Sequence, residues 1–211
     1  MAVTGAILMV FVVVHTFGTL KIFKGEQVFD AYALWLREVG TPLLAAGAAL
    51  WLNRVVLLAA ASLHMLAAWQ LTRQSWAARP VQYTKKESLE ATYASRTMRW
   101  GGVIIALFVV YHVLHFTVGA VGYGPGRFVH GSVYRNVVLG FSVWYVSAFY
   151  IVAMVFLGLH LYHAAWSTLH TLGVVTALGD RVWRTAGAIL AVVIALANIS
   201  VPVAVLTGLL R

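Results

Sequence analysis

The chain has 211 residues, of which 62% are hydrophobic and 10% charged, with eight histidines, no cysteine and a formal net charge of +9. Soluble domains carry about a quarter charged residues, so an ordinary soluble globular fold, a disordered chain and a coiled coil are all excluded. The absence of cysteine excludes disulfides, Cys-ligated iron–sulfur clusters, thiolate haem and covalent haem attachment. In so apolar a chain the positive charge points to basic loops against anionic lipid headgroups, with no nucleic-acid partner.

One membrane crossing needs about 20 apolar residues, so the length accommodates five spans and their connections. The first is predicted over about 2–20, closed by Lys21. It lacks the basic n-region and the A-x-A-like site of a cleaved leader, so it reads as a span. Residues 41–51 (TPLLAAGAALW) are apolar but contain Pro42 and Gly47, and are expected to lie at the interface before the second span, about 54–72. A basic loop from Arg73 to Arg99, with six Lys/Arg, leads to the third span, about 99–119. Between Arg135 and Asp180 run 44 uncharged residues with no polar turn in the middle; one long helix over about 141–170, ended by Gly173, is expected. The fifth span covers about 185–209, with Pro202 expected to kink it. Trp35, Trp51, Trp76, Trp100, Trp144 and Trp183 fall near span ends, as an aromatic belt predicts. The predicted fold is therefore an all-α membrane protein, a single domain over 1–211 built as a bundle of five transmembrane helices. With the N-terminus inside, eight Lys/Arg lie inside and seven outside, a narrow bias in the positive-inside sense.

Six histidines fall within predicted spans: His15, His64, His112, His115, His160 and His163. Histidine is rare in lipid and by default marks function; the bland alternatives are an interhelical hydrogen bond or a water-lined cavity. Depth separates the candidates. His15 lies six residues before Lys21 and His112 thirteen residues past Arg99, about 9 Å and 20 Å along their helices at 1.5 Å per residue. His64 is nine residues before Arg73 and His160 ten before His170. Each is at or past the middle of its helix in the direction of travel, and successive spans alternate in direction. His15 and His112 therefore fall toward one membrane face, and His64 and His160 toward the other. Two pairs at two depths suit two stacked b-type haems, each iron taking imidazole nitrogens from two facing helices. Small residues at 59–62, Gly101 and Gly102 would ease a flat macrocycle between helices, or simply pack close. His115 and His163 each follow a candidate ligand by three residues, about 60° around the helix; both are secondary candidates, for a haem propionate, a backbone carbonyl or polar packing.

The segments 94–117 (ASRTMRWGGVIIALFVVYHVLHFT) and 149–173 (FYIVAMVFLGLHLYHAAWSTLHTLG), with 12–20 (VVVHTFGTL) and 63–74 (LHMLAAWQLTRQ), resemble the cytochrome b membrane anchor of succinate:quinone oxidoreductase, five-helix two-haem type. The resemblance implies that His15, His64, His112 and His160 are the axial ligands of two haem b groups. His64 and His160 would hold the one nearer the cytoplasm, and the N-terminus would be cytoplasmic, in the cell membrane. It implies a flavoprotein subunit carrying FAD, an iron–sulfur subunit, and a membrane quinone (menaquinone in this subfamily) as electron acceptor. The loops 73–99 and 180–184 would face the iron–sulfur subunit, and a higher oligomer of the complex is compatible. Arg73 and Arg99 are candidates for propionates of the inner haem, against a plain positive-inside role. All six acids lie outside the predicted spans, which leaves the quinone site, catalytic residues and proton coupling open. The alternatives are a di-haem anchor of another respiratory dehydrogenase, such as a hydrogenase or formate dehydrogenase, and a non-redox transporter using histidines as proton relays.

Overall fold

The computed structural model describes residues 1–78, 93–123, 127–173 and 179–211, with backbone only for 93–97. Most of the basic loop between Arg73 and Arg99 lies outside them. The described residues form seven α-helices and no strand: α1 (Ala2–Thr19), α2 (Glu26–Glu38), α3 (Ala48–Ala77), α4 (Tyr93–Val113), α5 (Val133–Phe141), α6 (Trp144–Thr171) and α7 (Asp180–Leu206). Five of the helical segments, those beginning at Ala2, Ala48, Met98, Trp144 and Asp180, are long and apolar enough to cross a bilayer. The protein is thus a multi-pass, all-helical membrane protein, the arrangement in which backbone hydrogen bonds are satisfied inside each apolar segment.

One span departs from its expected bounds and two helices were not expected at all. The stretch 41–51 is only in part a connection: α3 starts at Ala48, just after Gly47 in the left-handed conformation, and so is 30 residues long. The long helix expected over about 141–170 is α6 (Trp144–Thr171), with Gly173 at positive φ just past its end. The chain breaks before it at Ser142 and Val143, where Val143 is extended, and Ser147 Oγ donates to the freed Phe141 carbonyl at 2.6 Å. Two short helices, α2 and α5, escaped the hydropathy pattern. They pack on each other, and Asp30 on α2 accepts the Tyr134 backbone N–H at the first turn of α5 (2.8 Å), which serves as an N-cap supplied from another helix. Pro202 is buried inside α7, whose helical course continues past it to Leu206.

α6 is the hub. It packs along α7 and α4 and touches α1 and α5. Against α7 it meets glycines: a Cβ on Gly158 would lie 3.2 Å from Ala195 Cβ, and one on Gly187 3.1 Å from Ala165 Cβ. Such small residues let helices approach where lipid offers no hydrophobic drive for association. Asn198 on α7 donates to Thr16 Oγ1 on α1 at 2.8 Å, a polar tie inside the layer. The six tryptophans at the predicted span ends are all exposed, and guanidinium groups lie over three neighbouring rings: Arg54 over Trp51, Arg73 over Trp69 and Arg99 over Trp76.

Candidate functional site: two histidine pairs in the apolar layer

The structure brings His15 on α1 to His112 on α4, ring centroids 5.8 Å apart, and His64 on α3 to His160 on α6, 6.4 Å apart. α3 packs mainly on α1 and α2, and α4 mainly on α6, so each histidine pair joins helices that are not each other's main neighbours.

Three helices measure the separation of the pairs. His64 Cε1 lies 3.3 Å from where a Cβ on Gly5 would be, and His15 is ten residues further along α1. His160 Cε1 lies 4.0 Å from the corresponding point at Gly102, and His112 is ten residues further along α4. Tyr150, whose hydroxyl is 3.4 Å from His112 Nδ1, precedes His160 by ten on α6. Each ruler gives about 15 Å at 1.5 Å per residue. On α1 and α4 the sequence climbs from the His64/His160 level to the other, and on α6 it descends, so the helices alternate in direction. Gly102 thus serves the His64/His160 level, and Gly101 faces Phe156.

None of the four rings is fully buried, in contrast to His115. His15 is exposed, and His64, His112 and His160 are half-buried. A polar ring left partly open in hydrocarbon is costly. The Nδ1 atom of His160 is buried without a hydrogen-bond partner, where buried polar atoms normally have one. His64 Nδ1 contacts Thr4 Oγ1 at 3.2 Å, while the Thr4 hydroxyl donates its one proton to the Met1 carbonyl at 2.9 Å. Thr4 therefore accepts from His64 Nδ1–H, and in the neutral ring the Nε2 lone pair is free.

His115 is placed quite differently. It is fully buried, in a five-residue π-helical turn (Leu114–Val118) that extends α4. Phe116 stacks on it at 4.0 Å and Tyr123 lies 4.7 Å away. A Cβ on either Gly122 or Gly140 would come within 2.5 Å of the ring. Tyr123, half-buried in the loop outside the span, donates to the Asn136 carbonyl at 3.0 Å; burial, then nearby Tyr111, raises its phenol pKa, so it stays a neutral donor. His163 lies beside Trp166. His170 at the end of α6 and Arg184 on α7 both bond Asp180 at 2.8 Å, and Trp166 Nε1 donates to it at 2.6 Å, which clasps the two helix ends. Arg73 and Arg99 are exposed at the facing ends of α3 and α4. Thr4, Gly5 and Tyr150 escaped the sequence reading; a hydroxyl inside an apolar span was the available signal.

Among the described residues no three metal-ligating side chains cluster. Paired histidines suit a flat macrocycle that brings its own four equatorial donors. Each pair, with ring centroids 5.8 and 6.4 Å apart, offers two imidazoles from facing helices that would hold such a group between them. Comparison with family models, curated proteins and solved structures finds no match to the chain.

Proposed function

We propose that the chain is a di-haem cytochrome b, with His15/His112 and His64/His160 as the axial pairs. It would serve as the membrane anchor of a succinate:quinone oxidoreductase, carrying electrons from an iron–sulfur subunit to a quinone. The observation that carries the cytochrome half is the meeting of four half-open imidazoles, one from each of four spans, at two levels about 15 Å apart. A haem b held by each pair would supply a one-electron iron couple. The chain's residues bind and orient. Thr4 holds His64 in the tautomer that presents Nε2, the outer-sphere contact typical of ligating histidines. Gly5 and Gly102 leave the flanks of His64 and His160 free of side chain.

The partner half rests on the resemblance of segments 12–20, 63–74, 94–117 and 149–173. On that reading the FAD and iron–sulfur clusters belong to partner subunits, and the quinone is menaquinone. The N-terminus is cytoplasmic, and the ends of α3 and α4 with Arg73 and Arg99 face the iron–sulfur subunit.

A reduced-minus-oxidised spectrum of the purified chain with a haem count tests the first half. Two haems per chain are expected; none overturns the cytochrome reading, and one overturns the two-level assignment. His64→Ala and His160→Ala should each remove the same haem, and His15→Ala and His112→Ala the other. Purification from native membranes tests the second half. Co-purifying succinate:quinone activity is expected; a hydrogenase or formate dehydrogenase in its place reassigns the anchor.

A further inference from the structure

A hydrogen-bonded chain runs from His112 into the protein. Tyr150 Oη lies 3.4 Å from His112 Nδ1 and 2.9 Å from His115 Nδ1. His115 is locked in place by Phe116, Tyr123, Gly122 and Gly140, and its Nε2 is buried with no partner. Such a closed cradle has no room for a macrocycle against His115, yet it holds a buried polar ring whose one hydrogen-bond partner is Tyr150.

Proton bookkeeping allows two arrangements. A phenol has one proton, and a neutral imidazole has one donor and one acceptor nitrogen. If Tyr150 donates to His112, the proton of that ring sits on Nε2, which then has no lone pair to offer. If Tyr150 donates to His115, at the shorter of its two contacts, its oxygen accepts His112 Nδ1–H and His112 Nε2 is bare.

We propose that Tyr150, itself held by His115, is the positioning residue of His112: it accepts the His112 Nδ1 proton, fixes the ring's tautomer and sets its strength as a ligand. The inference rests on the cytochrome reading above. His112 then has a phenolic outer partner where His64 has the hydroxyl of Thr4, so the two levels differ in ligand basicity. An acceptor on the far nitrogen raises the basicity of a ligating imidazole; its loss weakens donation to the iron and favours the reduced state.

Potentiometric titration and low-temperature EPR of the purified full chain test it. Tyr150→Phe should retain two haems per chain, raise the midpoint potential and shift the EPR signal of the haem lost in His112→Ala, and leave the other haem unchanged. His115→Phe, which keeps the cradle filled, should move the same haem in the same direction by less. Two haems with both potentials unaltered in Tyr150→Phe overturn the proposal. If Tyr150→Phe fails to fold and loses both haems, His115→Phe decides in the same way. A wild-type chain without haem overturns the cytochrome reading and this proposal together; a wild-type chain with two haems and an unmoved variant overturns only this one.

Discussion

At the scale of single residues, the histidines sort by what surrounds them. Four are partly open and meet in pairs; His115 is sealed by glycines and aromatic rings. Both kinds look alike in the sequence, because each is a polar ring in an apolar run. The i,i+3 spacing of His112 and His115 left the ligand undecided. In the structure the π-helical turn seats His115 under Gly122 and Gly140, while His112 lies beside His15. Thr4 was invisible for another reason: its partner is 60 residues away, and a hydroxyl in a first helical turn normally bonds locally. Loss of such outer-sphere partners costs about 10–100-fold in metal affinity. Thr4→Val should therefore weaken haem binding at the His64/His160 level by about that factor and spare the other level. Stepwise haem titration of the apoprotein, followed at both absorbance components, checks it.

At the scale of elements, five spans were legible because charge and hydropathy are properties of contiguous sequence, and membrane crossing demands contiguity. The two short helices were not. α2 mixes charged and apolar residues, and α5 straddles Arg135 and the start of the uncharged run; they pack on each other and share the Asp30 cap, which no local pattern contains. Helix association in the layer depends on closeness at a few positions. Gly187→Leu, which drives a side chain into Ala165, should destabilise the α6–α7 pair by about 1–3 kcal/mol, the usual cost of overpacking. Leu196→Ala, at a position exposed on α7, should change stability little. Thermal unfolding in detergent, compared between the two variants, is the measurement; an equal loss in both contradicts this packing account.

At the scale of the whole molecule, the two histidine levels and the alternating helix directions give the bundle a polarity across the membrane. The cysteine-free sequence makes that polarity easy to test. Lys24, exposed just past α1, and Arg73, exposed near the end of α3, should lie on opposite faces. With a cytoplasmic N-terminus, a membrane-impermeant maleimide applied to intact cells should label Lys24→Cys and not Arg73→Cys. The reverse pattern inverts the orientation and places the His64/His160 level outside.

The sequence by itself determined that this is a five-span helical membrane protein with histidines at two depths, because hydropathy, charge placement and 1.5 Å per residue are one-dimensional quantities. The tertiary structure decided which rings face one another, that the levels stand about 15 Å apart on three helices, and that Tyr150 links His112 to a sealed His115. Those facts depend on helix rotation and on contacts between residues tens of positions apart, which packing alone establishes.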